Sequence, residues 1–495
     1  MDSFTLFGLD GVWAVGIGLV VYGLGFLAVI DAVMNTRTPQ GATAWVFALA
    51  TLPLVALPLY LVFGRSKFED YVEALQDFNV RVREGVEGAR HGPLAPFLVE
   101  PGEDAGEGGA EDAREAGEMR AFGALSTTPF TSGNRVRLLV DGDETFEAIF
   151  AGIDAAERYV LAQFYIVHDD RIGTAFKERL IAAAQRGVEV RFLYDSVGSW
   201  KLPRRYKREL SEAGVEVCRF TGPRNWLKKL RLNFRNHRKI VVVDGRRAYV
   251  GGLNVGDEYL GRDPDIGPWR DTHLDVEGPM VQGLQLSFAR DWFYGSREQL
   301  DGLVWEPAAA PDGDECGLVL ASGPADDLET CGLLYAHAIE SAEERIWIAT
   351  PYFVPDGRVL GALQLAALRG VDVRVLMPRT SDSLLFKYVP YAYLDEVARA
   401  GVRTFLYEDG FMHQKVALVD RDFAAIGTAN FDNRSFRLNF EVTAVVRDEG
   451  FCDDVESMLV RDLGRATEIS YEDLEDKSFP FRFAANATRL LAPVL

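Results

Sequence analysis

The sequence carries two copies of a short pattern, HxKxxxxD, whose side chains could act on a phosphate ester. The first copy is His237, Lys239 and Asp244, and the second is His413, Lys415 and Asp420. A lysine ammonium binds phosphate oxygens as a point charge, and a neutral imidazole is a nucleophile or proton donor once an acceptor holds its other nitrogen. Two such pairs at one site would supply a nucleophile, a general acid and two cations around a single phosphodiester.

The residues that follow each histidine, KIVVVD and KVALVD, have the composition of strands. Because side chains two positions apart share a strand face, each histidine should project together with its lysine. Asp244 falls on the opposite parity and opens the turn Asp244-Gly245. We therefore expect the aspartate of each motif to have a mainly structural role in closing a hairpin, with a catalytic role as the alternative.

Four further residues repeat after the two motifs. Asn254 lies in GGLN and Asn430 in GTAN, where small residues would allow a ligand to approach and the amide could bind a phosphoryl oxygen. Asp271 follows His237, and Glu441 follows His413, each on an apolar strand. A carboxylate on an apolar strand is costly to bury unless it has a partner. We expect these carboxylates to hold the Nδ1–H of their histidines, with a core salt bridge as the alternative.

A metal site at these histidines is not expected. The neighbouring ammonium group repels a cation, and no second His, Cys or carboxylate sits at ligand spacing. The four cysteines are scattered without a CxxC pair, so they indicate neither a zinc framework nor a disulfide scaffold.

Charge is unevenly distributed along the chain. With 74 acids and 53 bases the net charge is −21, which argues against non-specific binding of nucleic acid. Between Lys201 and Lys239, however, 13 bases face three acids, with Trp226, Leu227 and Leu230 interleaved. This segment predicts a contact with anionic lipid at a membrane surface, and a solvated basic helix is the alternative.

The chain begins with two uncharged runs, Val12 to Ile30 and Gly41 to Gly64. Each is long enough to cross a bilayer at about 20 residues per span, and we predict a transmembrane hairpin within residues 1–70. A buried soluble hairpin is the alternative. Arg65 and Lys67 after the second run outnumber Arg37 between the runs, which places the rest of the chain in the cytoplasm.

The remaining 425 or so residues read as an α/β fold that occurs twice, within a 495-residue chain of ordinary globular composition. ERYVLAQFYIV, from Glu157 to Val167, returns as ERIWIATPYFV, from Glu344 to Val354. We predict two pseudo-symmetric α/β/α sandwich lobes, at 135–316 and 317–495, that face each other. A connector at 71–134 should contain a flexible acidic linker, with residues 85–134 largely unstructured.

The duplicated HxKxxxxD motif followed by a Gly-Gly/Thr-x-Asn element resembles the phospholipase D superfamily. Within that superfamily, the chain is most similar to the bacterial cardiolipin synthases. The segments that carry this likeness are RTPQGATAWVFAL, NHRKIVVVDGRRAYVGGLNVGDEY, WRDTHLDVEG, HQKVALVD and GTANFDNRSF. The likeness covers nearly the whole chain. It implies a multi-pass protein of the bacterial inner membrane whose catalytic lobes face the cytoplasm.

This resemblance also implies a reaction. One phosphatidylglycerol would give its phosphatidyl group to the terminal hydroxyl of another, with release of glycerol and without a metal cofactor. One of His237 and His413 would form a phosphohistidine while the other transfers protons. The family favours His237 as nucleophile, although the near-equivalence of the two halves leaves both assignments open.

Three other functions are compatible with parts of this pattern. A hydrolase and a nuclease of the same superfamily share the chemistry, but the apolar hairpin and the negative charge disfavour a nucleic acid partner. A membrane-tethered protein that binds lipid without turnover would need cations but not two histidines. The expected partners are therefore the membrane, phosphatidylglycerol and other anionic phospholipids.

Overall fold

The computed structural model describes residues 11–36, 38–64, 69–99, 110–221, 234–264, 266–381 and 384–492. Its helices are α1 Gly11–Asn35, α2 Pro39–Thr51, α3 Pro53–Phe63, α4 Glu69–Arg90, α5 Ala110–Leu125, α6 Asp141–Ala155, α7 Arg171–Gln185, α8 Arg204–Glu212, α9 Val281–Ser296, α10 Thr330–Ser341, α11 Gly357–Leu368, α12 Leu384–Tyr388, α13 Tyr391–Ala398, α14 Asn433–Arg437, α15 Glu449–Leu463, α16 Tyr471–Glu475 and α17 Phe479–Arg489. The contacts divide the chain into two compact units: one holds α1 to α3, and the other holds the rest from Tyr71 to Thr221 and onward from Arg235.

Among the described residues of the N-terminal unit, one helix is long and apolar enough to span a membrane, Val15–Asn35 within α1. The second apolar run differs from the expected single span, because it forms α2 and α3 with a break at Leu52. Pro53 lacks an N–H and disfavours a helical residue before it, and Leu52 has φ −134° and ψ 56°. The helices pack through Ala32, Leu49, Ala56 and Tyr60.

The second unit is built on a long mixed sheet. Its strands, with two short accessory pairs, are β1 Thr131–Val140, β2 Tyr159–Phe164, β3 Glu189–Asp195, β4 Glu216–Phe220, β5 Arg235–Asn236, β6 Ile240–Val243, β7 Arg247–Gly251, β8 Trp269–Arg270, β9 Thr272–Glu277, β10 Glu315–Ser322, β11 Arg345–Ala349, β12 Phe353–Val354, β13 Asp372–Pro378, β14 Arg403–Tyr407, β15 Phe411–Met412, β16 Val416–Val419, β17 Phe423–Gly427, β18 Phe431–Asp432, β19 Asn439–Arg447 and β20 Ala466–Ile469. The α/β class expected from the sequence is confirmed.

The strand order from β10 out to β14 matches the order from β1 out to β4 across one central junction, and β20 is an additional edge strand. The full order runs β20-β14-β13-β11-β16-β17-β19-β10-β1-β9-β7-β6-β2-β3-β4, so β10 and β1 pair in the middle. They are antiparallel, with Thr131 opposite Gly317. We call β1 to β9 with their helices the first half and β10 to β20 with theirs the second half.

Helices cover both faces of the sheet, as β2 illustrates. Val160 and Ala162 belong to a core shared with α6, α7 and α8. Gln163, on the opposite face, donates its amide N–H to Asp291 of α9 at 2.7 Å. Alternate side chains of one strand therefore serve two helical layers, which produces a sandwich.

The connector differs from the expected unstructured segment of residues 85–134. Its first residues belong to α4, residues 110–125 form α5, and β1 begins at Thr131. Met119 and Phe122 of α5 are buried in the core of the second half. The tract is rich in alanine and glutamate, which favour helix, and tertiary packing of these two side chains stabilises it. Residues 100–109 lie outside the described part of the chain.

Candidate active site

The two HxK segments lie immediately before the strands that the sequence predicts. β6 starts at Ile240, one residue after Lys239, and β16 starts at Val416, one residue after Lys415. Extended backbone carries each histidine and lysine into its strand, and all four side chains are buried. Each ammonium donates a hydrogen bond to the backbone carbonyl of the histidine in its own motif.

Each motif is attached to the other half of the sheet. β5, just before His237, pairs in parallel with the start of β19, and the His237 N–H donates to the Phe440 carbonyl at 2.9 Å. β15, just before His413, pairs with β8, and the His413 N–H donates to the Arg270 carbonyl at 2.7 Å. The backbone thereby fixes both histidines at the boundary between the halves.

The carboxylates expected to orient the histidines do so, but each one comes from the opposite half. His237 Nδ1 lies 2.9 Å from Glu441 Oε2, and His413 Nδ1 lies 2.8 Å from Asp271 Oδ2. The expectation that each acid serves the histidine it follows in sequence is therefore wrong. The pairing of β5 with β19 and of β15 with β8 brings each histidine to the other half's acid.

The charges of each motif affect the pKa of the histidine in the other motif. The pKa of His237 is lowered to about 4, chiefly by burial; Glu441 opposes this shift, and Lys239 and Lys415 contribute to it. Burial lowers the pKa of His413 to about 3, with contributions from both lysines against Asp271. Each imidazole thus senses the lysine of the other motif. At neutral pH both rings are uncharged, as a nucleophile must be.

Both carboxylates stay ionised despite complete burial. Burial raises the pKa of Glu441, but His237 and Lys239 outweigh it and the net shift is downward. Burial likewise raises the pKa of Asp271, and Lys415 and His413 reverse it. Hydroxyl and amide donors complete the cradle of Glu441, at 2.6 Å from Thr428, 2.9 Å from Ser435 and 3.1 Å from Asn439.

The motif aspartates lie at the far ends of their strands from the histidines. The Asp244 carboxylate accepts the backbone N–H groups of three consecutive residues, 157 to 159, at 2.8–2.9 Å. Asp420 does the same with residues 343 to 345 at 2.7–2.9 Å. Both have positive φ, 54° and 49°, at the turn. These contacts support the structural interpretation of the two aspartates.

The small residues of the Gly-Gly element make room for the protein's own acid rather than for a ligand. A Cβ on Gly252 would lie 2.0 Å from Asp271 Oδ1, and one on Gly251 would lie 2.5 Å from the His273 Cα. In the second half a Cβ on Gly427 would lie 2.2 Å from the Val442 carbonyl oxygen. The glycines therefore allow β9 and β19 to bring their carboxylates close.

The two asparagines differ in their contacts. Asn254 Oδ1 accepts the Ile166 N–H at 3.0 Å, and its Nδ2 donates to the Tyr259 hydroxyl at 3.1 Å. The Oδ1 of Asn430 is buried and has no hydrogen-bond partner among the described residues. A substrate-binding role for both stays a prediction, and the second amide is the one with unused capacity.

Several residues around the histidines were not identified from the sequence. The rings of Tyr165 and Tyr352 lie 5.0 Å and 6.3 Å from those of His237 and His413, and Trp269 lies 5.0 Å from His413. Tyr165 and Tyr352 occupy the same place in the repeated QFYIV and TPYFV segments. Their equivalent positions in the repeat are the sequence feature that could have indicated a role beside the histidines.

Buried arginines anchor the motif loops. Arg238 Nη1 binds Asp291 at 2.8 Å, and Arg270 Nη2 binds Asp462 at 2.8 Å. Asp462 also accepts the side-chain amide of Gln414 at 2.8 Å. An acid of α9 therefore binds the first motif through Arg238, and an acid of α15 binds the second motif through Gln414.

One group of side chains in the described residues has the spacing of metal ligands. Donor atoms of His168, Asp170 and Glu258 lie within 4.8 Å of one another. None of the paired histidines, lysines or carboxylates belongs to this group. The predicted lipid-contact residues Trp226, Leu227 and Leu230 lie outside the described residues.

Comparison with known proteins agrees with this geometry. A family model described as "Cardiolipin synthase, PLD-like domain" matches residues 149–292 and 335–463. A model described as "Phospholipase_D-nuclease N-terminal" matches residues 23–65. A crystal structure of phosphatidylserine synthase from Haemophilus influenzae Rd KW20 superimposes with a TM-score of 0.55 at 15% identity, covering 73% of this chain and 95% of that one, which shows a common fold.

Curated relatives match over nearly their full length. Cardiolipin synthase A of Pseudomonas fluorescens Pf-5 is 46% identical over 476 residues, which cover 96% of this chain and 97% of that protein. Cardiolipin synthase A of Pseudomonas aeruginosa LESB58 is 46% identical over 485 residues, with coverage of 97% and 96%. With two crossed histidine–carboxylate pairs in its fold, the chain belongs to the cardiolipin synthase family of phospholipase D-like proteins.

Proposed function

We propose that this protein joins two phosphatidylglycerol molecules into cardiolipin and releases glycerol. The observation that carries the proposal is the pair of buried imidazoles, each held through Nδ1 by a carboxylate and each within the field of both motif lysines. This arrangement leaves His237 Nε2 for a nucleophile, and it leaves His413 Nε2, which lies 3.1 Å from Lys415 Nζ, for a proton carrier. Similarity to cardiolipin synthases along almost the whole chain gives the substrate class.

In the first step, His237 Nε2 attacks the phosphorus of one phosphatidylglycerol. An N–P bond forms and the bond from phosphorus to the glycerol oxygen breaks. The leaving oxygen takes a proton from the His413 imidazolium, so glycerol departs as a neutral alcohol. The substrate's own negative charge favours protonation of His413, against the burial that disfavours it in the free enzyme.

In the second step, the terminal hydroxyl of another phosphatidylglycerol attacks the phosphohistidine. Neutral His413 accepts the hydroxyl proton as the new P–O bond forms and the N–P bond breaks. Cardiolipin leaves, His237 is neutral again, and His413 holds the proton that it took from the hydroxyl. Lys239 and Lys415 stabilise the charge on the phosphoryl oxygens.

We further propose how the chain is organised around this reaction. Residues 1–70 would form a membrane hairpin, with α1 as one leg and α2 followed by α3 as the other. Residues 71–134 connect it to two pseudo-symmetric lobes at 135–316 and 317–495, on the cytoplasmic side of the inner membrane. The repeated strand order and the two matched stretches of the family model support the lobes.

A direct assay tests the function. Full-length protein is reconstituted with phosphatidylglycerol in the presence of EDTA, and cardiolipin, phosphatidic acid and glycerol are followed. Equal release of cardiolipin and glycerol is expected, and His237→Ala and His413→Ala should each abolish nearly all of it. Phosphatidic acid without cardiolipin would instead identify a hydrolase, and absence of lipid turnover would overturn the proposal.

A further inference from the structure

The C-terminal helix α17 has two apolar faces, and the rest of the unit covers only one of them. On the inner face, the ring of Phe481 packs 5.4 Å from that of Tyr388 and 5.0 Å from that of Tyr391. Ala485 on the same face is 3% exposed. Arg489 closes the contact with a hydrogen bond of 2.5 Å to Glu396. These contacts fix the orientation of the helix.

The opposite face points away from the described residues. Phe479 is 80% exposed, Phe483 is 66% exposed and Leu490 is 81% exposed. With 3.6 residues per turn these three positions fall within one narrow stripe. The two phenylalanine rings stack on each other at 6.3 Å. Large apolar side chains this exposed, aligned on one helix, mark a surface that meets another apolar phase.

The charge of the residues around this stripe indicates that the apolar phase is an anionic lipid bilayer. Lys477, Arg482 and Arg489 are the only charged side chains from residue 477 to the end of the sequence, although the whole chain has a net charge of −21. Helices with aromatic and leucine side chains on one face and bases beside them bind at the interface of anionic bilayers.

The helix lies close to the reaction centre. Phe481 of α17 contacts Tyr388 of α12, and Phe386 of the same short helix stacks on Tyr352 at 3.9 Å between ring centroids. Tyr352 in turn lies 6.3 Å from the ring of His413. A series of aromatic side chains therefore connects the inner face of α17 to the surroundings of His413.

We propose that α17 is an interfacial helix, which inserts Phe479, Phe483 and Leu490 into an anionic phospholipid surface next to the second histidine. The inference deepens the proposed function and rests on it for the membrane that supplies the substrate. Docking at this point would bring lipid headgroups to His413 without extraction of the acyl chains from the bilayer.

Depth of insertion tests the proposal without requiring turnover. Full-length Phe483→Cys protein is labelled with an environment-sensitive fluorophore and reconstituted in phosphatidylcholine nanodiscs with or without phosphatidylglycerol. Glu449→Cys, in the acidic stretch of α15, is the matched control, and labelled wild type corrects for the native cysteines, three of which are buried. Nitroxide-bearing lipids should quench position 483 at least about twofold more than position 449, and more strongly when phosphatidylglycerol is present.

Activity gives the second readout. Phe479→Ser/Phe483→Ser/Leu490→Ser should lower the rate on phosphatidylglycerol vesicles about tenfold, because interfacial affinity scales with buried apolar area, while the rate in detergent mixed micelles changes less than about twofold. Val460→Ser, which alters an exposed apolar residue of α15, should change neither.

An unquenched probe at position 483 in protein that makes cardiolipin would overturn the interfacial helix and leave the proposed function intact. A probe that reports an apolar surrounding without nitroxide quenching would show that another protein surface covers the stripe, which also overturns it. A quenched probe in protein that turns over no lipid would support the interfacial helix and overturn the proposed function.

Discussion

Glu441 holds His237 although 204 positions separate them in the sequence, with His237 Nδ1 at 2.9 Å from Glu441 Oε2. His413 and Asp271 repeat the relationship in reverse at 2.8 Å. A carboxylate on Nδ1 fixes the neutral tautomer that presents Nε2 and stabilises the imidazolium when it forms. Neither half therefore contains both the histidine and the carboxylate of either motif pair.

The first prediction is that variants sort by these crossed pairs and not by their place in the chain. Glu441→Gln should resemble His237→Gln, and Asp271→Asn should resemble His413→Gln, each with kcat lower by about 10²- to 10⁴-fold. If His237 is the nucleophile, variants of the His413 pair should form phosphoenzyme slowly and resolve it slowly, so that acid quench with radiolabelled substrate detects it. His237→Gln should form none, and Glu441→Gln should form much less than the variants of the His413 pair. Phosphoenzyme patterns that group Asp271 with His237 would contradict the crossing.

The second prediction concerns the motif aspartates, which bind backbone rather than substrate. Asp244→Ala and Asp420→Ala should each lower the free energy of unfolding by about 1–3 kcal/mol, because three backbone N–H groups lose their acceptor. The smaller loss is expected at Asp244, where two of the three hydrogen bonds are exposed. The asparagine variants should lose less, since one oxygen remains and asparagine tolerates positive φ. Thermal unfolding in detergent measures the effect. Unchanged stability combined with lost kcat would instead make these residues catalytic.

The third prediction is a large destabilisation by Asp291→Asn. The Asp291 carboxylate receives Arg238 at 2.8 Å, Asn236 and Gln163 at 2.7 Å, and the Tyr71 hydroxyl at 2.8 Å. Its neutralisation leaves a buried guanidinium unpaired, which costs about 3–5 kcal/mol. Chemical unfolding followed by intrinsic fluorescence should show this shift, and the exposed-site control Glu449→Gln should stay within about 0.5 kcal/mol. A shift as small as that of the control would refute the account.

The fourth prediction is a stability that declines on mild acidification. The pKa of His237 falls to about 4 and that of His413 to about 3 in the folded protein, because both rings are buried. The unfolded chain, with a histidine pKa of about 6.5, binds these protons first. The stabilisation is complete above about pH 6.5 and is lost as the pH falls toward 4.

Thermal midpoints between pH 8 and 5 measure this decline. The double variant His237→Gln/His413→Gln should show a shallower slope below pH 6.5 than the wild type, because two of the responsible groups are gone. Parallel slopes for the two proteins would show that these imidazoles are not held neutral.

The fifth prediction explains why transfer outruns hydrolysis. A site held at the bilayer meets lipid hydroxyls at high effective concentration while water is kept out. Trp226→Ser/Leu227→Ser/Leu230→Ser should therefore raise phosphatidic acid at the expense of cardiolipin, by about threefold in product ratio if the segment contributes about 0.7 kcal/mol of discrimination. Product ratios by mass spectrometry decide it, with a charge-neutral change such as Leu328→Ser as control. An unchanged ratio would exclude this segment from water exclusion.

The sequence predicts the chemistry of the site better than its connectivity. The histidines, lysines and carboxylates are recognisable because their residue types recur at equivalent points of a repeat. The crossed pairing was not predictable, because it depends on the parallel pairing of β5 with β19 and of β15 with β8, strands of two residues each. Tyr165 and Tyr352 were missed since an aromatic residue on an apolar strand is ordinarily core.

The connector and the second apolar run show where local patterns mislead. Residues 110–125 read as a solvated linker by composition, but Met119 and Phe122 pack into the second half and hold a helix there. The run from Gly41 to Gly64 reads as one span by hydropathy, whereas Pro53 divides it. Hydropathy measures the mean of a window, and a single residue without an N–H changes the backbone within it.

The pairing of β1 with β10 makes the sheet continuous through the centre of the molecule, and every reactive ring borrows its acid from across that seam. A substitution that moves the strands of one half therefore displaces the acid of one ring and the backbone of the other. A gene fragment encoding a single side would yield a chain without a working centre unless two copies associated. The two halves are therefore expected to change together in evolution.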